Sequence, residues 1–185
     1  MVRDILKDTE KKMKASLEYF RKEISKLRTG RANISLFEDI KVMYYGTPTP
    51  INQVATIGVP DPTLITVQPW DPGLMEAVDK AIRSSDLGFN PINDGRVIKV
   101  PVPPLDEERR QELAKKAGKM LEEEKTALRN MRRESKEYIE KLEKDKKITE
   151  DDKFQGLEKL QELLDEYVKQ AEEIAAAKEK EILEG

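Results

Sequence analysis

Apolar residues recur at helical spacing from the first turn of the chain. Leu6, Met13, Phe20 and Leu27 stand seven apart, and Leu17 and Ile24 fill the interleaved positions. This alternation of threes and fours predicts a helix with a coiled-coil-like seam, and Gly30 is a fitting C-terminal cap. A second periodic stretch runs from about Asp106 to about Lys144, with Ala114, Ala117, Leu121, Leu128, Met131, Tyr138 and Leu142 as its seam. Glu124 and Ser135 interrupt it. A helix of that length is a rod ~60 Å long. After a short connection, Asp145–Ile148, Thr149 and Asp152 resemble a capping box with Asp in place of Glu. A third helix follows, with Leu157, Leu160, Leu164, Tyr167, Ala171, Ile174 and Ile182 on its apolar side. Single-striped helices are unstable alone in water, so the three are predicted to pack as an elongated three-helix bundle.

The pattern changes between the first two helices. All ten prolines lie within residues 31–105. Ile40, Val42 and Tyr44 alternate as in a half-buried strand. Val54–Ile57, Thr63–Val67 and Val97–Val102 are also strand-like, and Asn93–Asp94–Gly95 is a turn signal. Asp71–Pro72 opens a short helix, with Asp as N-cap and Pro at its first position. Leu74, Met75, Val78 and Ile82 form the apolar face of that helix. The reading is a small α+β domain.

Chain order makes this domain an insertion, because the first helix must wait for partners that arrive after residue 105. The fold is therefore α+β: a bundle of residues 1–30 and 106–185, with residues 31–105 as the inserted domain. Two stretches of chain join them, Thr29–Asn33 and Pro101–Leu105. Gly30 frees one, and Pro101, Pro103 and Pro104 stiffen the other. Thr29, Gly30, Pro103, Pro104 and Leu105 are thus the expected hinge.

Composition narrows the function. There is no cysteine and no histidine. Thiolate metal sites and His-based nucleophile pairs are absent with them. No metal site or cofactor is expected, and glycine-rich phosphate loops are missing. No apolar run reaches a membrane span of ~18 residues, and the N-terminus lacks a signal-peptide core. The expectation is a cytoplasmic protein that does not engage membranes. Charge is graded along the chain. Residues 1–30 carry +4, residues 31–105 −2, residues 106–148 +2 and residues 149–185 −7, within a net charge of −3.

Lys125, Arg129, Arg132, Arg133 and Lys136 recur at helical spacing on the second long helix. Residues three and four apart share a face, so these cations form one stripe beside the seam. Charged helix faces are most often merely solvated. Here the bias toward arginine, and Arg28 and Arg31 near the end of the first helix, point to phosphate docking, since a guanidinium fork donates two parallel hydrogen bonds. No aromatics interleave with the stripe, which favours structured RNA over stacked single strands. Asp61, Asp71, Asp86 and Asp94 sit in turn or cap settings, where aspartate has a local role. Trp70 and the Tyr44–Tyr45 pair read as packing residues, an exposed tyrosine being a natural partner contact. A coiled-coil interaction protein and a carboxylate-based hydrolase are the weaker readings.

The segments LRTGRAN (27–33), YYGTPTPINQVATI (44–57), QPWD (68–71), AIRSSDLGFNPINDG (81–95), PPLDEERR (103–110) and LRNMRRE (128–134) together resemble the ribosome recycling factor family. The resemblance runs over essentially the whole chain. It implies an L-shaped molecule of tRNA-like outline, with a β/α/β sandwich-like inserted domain. It also implies a non-enzymatic monomer that binds the post-termination ribosome. With elongation factor G and its GTP hydrolysis, such a protein splits the subunits and frees mRNA and tRNA. By the family pattern the bundle lies along large-subunit ribosomal RNA. Arg129, Arg132 and Arg133 belong to that contact, as do Arg28 and Arg31, with Lys125 beside them. The inserted domain faces the elongation factor and swings on the two linkers.

Overall fold

A computed structural model describes residues 1–184. By their contacts they form two compact units. One comprises Met1–Ile24 and Ala114–Lys180, and the other Ser25–Leu113 with the end of the chain from Glu181.

The first unit is helical. Helix α1 spans Val2–Ser25, α3 Glu107–Lys144 and α4 Glu150–Glu184, with a short α2 (Met75–Arg83) between α1 and α3 in sequence. Asp106 caps α3 by accepting the Arg109 amide at 2.7 Å. Thr149 and Asp152 exchange backbone-to-side-chain hydrogen bonds of 3.0 and 3.1 Å at the start of α4. The predicted box is thus present, and those bonds hold the Asp152 carboxyl below its ordinary pKa, the Thr149 amide most of all. Between the helices Lys146 turns the chain at φ +58, and the amides of Lys146 and Lys147 return to the carbonyls of Glu143 and Leu142.

The seam of the long helices follows an eleven-residue repeat. Ala117, Leu128 and Ile139 are fully buried, as are Leu160, Ala171 and Ile182. Three turns of eleven residues keep nearly the 3.6-residue period of a straight helix, whereas a heptad drifts ~20° per repeat. That drift corrects one expectation. Tyr138, assigned to the seam by the heptad count, is 57% exposed, and Ile139 takes its place.

The polar interruptions of α3 meet polar residues of α1. Thr9 and Ser135 share a 2.6 Å hydrogen bond. Ser16 donates to both carboxylate oxygens of Glu124 at 2.9 and 3.0 Å. Gly156 of α4 admits the side chain of Val2, since a Cβ there would stand 2.8 Å from Val2 Cγ1.

The second unit holds the strands. Strands β1 (Lys41–Tyr44) and β2 (Thr47–Pro50) form a two-residue hairpin. Strands β3 (Ala55–Asp61), β4 (Leu64–Pro69), β5 (Ile92–Asn93) and β6 (Ile98–Pro101) form an antiparallel sheet in the order β3-β4-β6-β5. Its inward positions alternate as a half-buried sheet requires: Ile65 and Val67 of β4 pair with Val100 and Ile98 of β6, all fully buried. Val78 and Ile82 of α2, Val42 of β1 and the Phe37–Phe89 ring pair complete this core. Asp71 caps a 3-10 turn, Pro72–Leu74, that leads into α2.

Two sequence expectations change here. Tyr44 is exposed rather than half-buried. Helix α1 stops at Ser25, five residues before Gly30. Past it, Leu27, Thr29 and Gly30 are buried outside any helix, and the Ala32 amide donates to the Pro62 carbonyl at 2.6 Å. Packing into the second unit takes the segment that local periodicity assigned to the helix.

Candidate nucleic-acid interface

Helix α3 carries the basic stripe, and its buried neighbours Leu128 and Ile139 hold it as a rigid rod. The five cations divide by their environment. Lys125 leans toward α4, with only 16% of its side chain exposed, and pairs with Glu172 at 2.9 Å and Glu122 at 3.6 Å. Those carboxylates, the Glu172 hydrogen bond first, raise its pKa. Arg132 donates to Gln161 Oε1 of α4, and Gln161 donates in turn to Asp165 at 2.9 Å. Arg129 and Arg133 are exposed, and neither makes an ion pair or hydrogen bond among the described residues. Lys136 is 3.9 Å from Glu140.

Helical rotation explains the division. Lys125 and Arg132 lie nearest the seam and reach α4, while Arg129 and Arg133 are turned further outward. Nothing in the sequence singles out Gln161. A glutamine on an exposed face of α4 carries no signal of its own, and only the packing of α4 beside α3 brings it to Arg132.

Arg28 and Arg31 belong to the second unit. Arg31 is exposed. The Arg28 guanidinium lies over the Phe89 ring, 5.3 Å from its centroid, a cation–π placement. Its Nε is buried without a hydrogen-bond partner among the described residues. Burial, and then the charge of Arg109, lower its pKa. Arg109 is itself paired with Glu112 at 2.9 Å. The Arg110 Nε, like that of Arg28, is buried and unpartnered.

The expected hinge residues also lie in this unit. Gly30 has φ +81, and a Cβ on it would meet the Leu105 amide nitrogen at 3.3 Å. Glycine is required there both by the backbone angle and by the close approach. Thr29 is buried, Leu105 half-buried, and Pro103 and Pro104 are exposed.

The turn aspartates are engaged with backbone. Asp61 accepts from the Thr63 amide and hydroxyl, Asp71 from the Gly73 amide, and Asp94 from the amides of Arg96 and Val97. These bonds hold Asp61 and Asp94 below the ordinary carboxylate range. Among the described residues no group of three or more acidic side chains is gathered as a metal site. No helix among them is long and apolar enough to cross a membrane.

Comparison with known proteins agrees with this architecture. A ribosome-recycling factor of Oleidesulfovibrio alaskensis is 53% identical over 180 residues, covering 97% of this chain and 98% of its own. One from Symbiobacterium thermophilum is 47% identical over 184 residues, covering all of both chains. Among solved structures, the solution structure of a ribosome recycling factor is similar with a TM-score of 0.82 and 46% identity, over 100% of this chain and 98% of that one. A second structure has a TM-score of 0.70 and 40% identity over 99% of each chain. It describes the T. thermophilus ribosome recycling factor and the E. coli elongation factor G bound to the E. coli post-termination complex. The sequence profile of the ribosome recycling factor family matches residues 20–183. With that match and these relatives over its whole length, the chain belongs to the ribosome recycling factor family.

Proposed function

We propose that this protein binds the post-termination ribosome and, with elongation factor G and its GTP hydrolysis, splits the subunits so that mRNA and tRNA leave. The observation that carries the RNA-docking part is the state of Arg129 and Arg133. Both are exposed on a rigid helix and unpaired among the described residues, although the chain holds 37 acidic residues. Two unneutralised guanidinium groups on one face are suited to phosphate oxygens of structured RNA. Arg132 lies beside them with its guanidinium oriented by Gln161. Lys125 adds positive potential from a fixed position, and Arg28 and Arg31 supply further contacts from the second unit.

The partner assignment rests on the relative whose structure holds elongation factor G and the post-termination complex. In this reading the helical unit, Met1–Ile24 with Ala114–Lys180, docks on large-subunit ribosomal RNA, and the second unit moves relative to it. The protein makes and breaks no covalent bond. The work comes from the GTPase, and the long helices of this chain transmit the force that strains the subunit contacts.

Subunit splitting, followed by light scattering with and without elongation factor G and GTP, tests the proposal. Splitting is expected only with all components present. Replacing both Arg129 and Arg133 with alanine should weaken ribosome binding by about 1.5–3 kcal/mol for each charge-assisted hydrogen bond lost. Splitting without the GTPase, or unchanged affinity in the double variant, would count against it.

A further inference from the structure

Two cations of the stripe reach across to α4, and they meet different chemistry there. Lys125 ends on the Glu172 carboxylate at 2.9 Å. Arg132, two turns further along α3, ends on an amide, donating to Gln161 Oε1. A neutral residue at this place is unexpected, since residues 149–185 carry a net −7. The difference decides what each cation can still do. A carboxylate holds its partner and neutralises it. An amide oxygen holds the guanidinium and leaves its charge for another anion.

The amide is itself held. Asp165, one turn further along α4, accepts from Gln161 Nε2 at 2.9 Å. An ionised carboxylate only accepts, so the Gln161 NH2 faces Asp165 and its oxygen faces Arg132. The opposite flip would set one donor against another. Arg132 makes no ion pair among the described residues and is linked to Asp165 through the amide. Its side chain is half-buried, and with Gln161, Leu157 and Leu160 it lines a notch of about 180 Å³ between α3 and α4. Stem and fork are therefore both constrained.

Such a constraint matters for phosphate. Two parallel hydrogen bonds to one phosphate need the fork at one angle. An unheld arginine gives up its side-chain freedom on docking, whereas a held one has already done so. We propose that Gln161, fixed by Asp165, is a positioning residue that presents Arg132 as a charged, preoriented fork to a phosphate of ribosomal RNA. The inference rests on the RNA-docking function proposed above.

Equilibrium binding to ribosomes without the elongation factor, over a salt series, tests this. Gln161→Leu removes the acceptor and leaves the charge of Arg132. Affinity should fall roughly three- to tenfold, the cost of ordering one long side chain on binding, with the salt slope unchanged. Gln161→Glu puts an anion in place of the amide. Affinity should fall here too, and the slope of log affinity against log salt should shrink by about one, because Arg132 is then neutralised within the protein. In an Arg132→Ala background Gln161→Leu should have no further effect, since a positioning residue acts through the group it orients. A glutamine that merely ties α3 to α4 would lower the unfolding temperature and move neither affinity nor slope. Undiminished affinity in Gln161→Leu, or an equal loss in both backgrounds, overturns the proposal. The two readings fail differently. If replacing Arg129 and Arg133 weakens binding and Gln161→Leu does not, the positioning role falls and RNA docking stands. If no arginine variant weakens binding, both fall.

Discussion

Glu124 shows how much a single residue of the bundle depends on its neighbours. Its carboxyl is buried in the seam of α3, 7% exposed, with Ser16 as its hydrogen-bond donor. Burial raises its pKa, and the Ser16 bond only partly offsets this. The sign follows from linkage. Below the ordinary glutamate range both folded and unfolded chains are protonated. As pH rises, the unfolded chain ionises first, so stability is lost across the interval between the ordinary value and the raised one. The loss persists at neutral pH. Glu124→Gln should therefore be more stable than the parent at neutral pH, with the advantage vanishing as pH falls through that interval. Urea unfolding of both proteins at several pH values checks this. Parallel curves would show that the Glu124 carboxyl is not the responsible group. The exposed aspartates that cap turns act oppositely, losing their contribution as pH falls below the carboxylate range, but they are common to both proteins and cancel in the comparison.

Among the elements, the connection from α3 to α4 carries strain without an evident contact in return. Lys146 is exposed and sits at φ +58, at a helix C-terminus where glycine is the usual residue. Lys146→Gly should stabilise the chain by about 0.5–1 kcal/mol, read from the denaturation midpoint, with ribosome affinity unaltered. A loss of stability would mean that the lysine side chain contributes something its backbone cost conceals. Tyr45 holds a left-handed backbone as well, in the turn of the β1–β2 hairpin. The sequence marked several such element boundaries directly. Thr149 with Asp152, Asp71 before Pro72 and Asn93–Asp94–Gly95 each act through hydrogen bonds to backbone a few residues away, so their chemistry is local. Strand β2 was not legible, because Thr47–Pro50 holds two prolines and pairs only along one edge, with β1.

For the whole molecule, charge distribution should govern association. The net charge is −3, so overall attraction to RNA is absent and binding must come from local cations. Ribosome affinity should fall with added salt. The slope of log affinity against log salt should shrink by about one for each phosphate-bound arginine removed. Arg129→Ala and Arg133→Ala are expected to reduce the slope. Lys125→Ala should change it less, because Glu172 and Glu122 already neutralise that lysine. Equilibrium binding over a salt series decides this, and equal slopes for all three variants would remove the distinction between free and paired cations.

Periodicity along the chain was enough to show three long helices, an inserted α+β domain and a basic stripe on α3, because amphipathic spacing and proline placement are properties of neighbouring residues. It could not choose Ile139 over Tyr138. One position on a helix is a rotation of 100°, and which of the two faces inward depends on the drift of the seam over several turns and on the helix packed against it. Nor could it show that Glu124 and Ser135 are answered by Ser16 and Thr9, or that α1 ends at Ser25. Those outcomes depend on residues more than a hundred positions away, or on the unit into which Leu27 and Thr29 pack. Spacing alone puts the five cations of the stripe on one face, and only the family resemblance sets its three arginines above the lysines. Tertiary structure separates them by environment, tying Lys125 and Arg132 to α4 and leaving Arg129 and Arg133 unpaired among the described residues, because the partners that neutralise or orient a charge come from another helix.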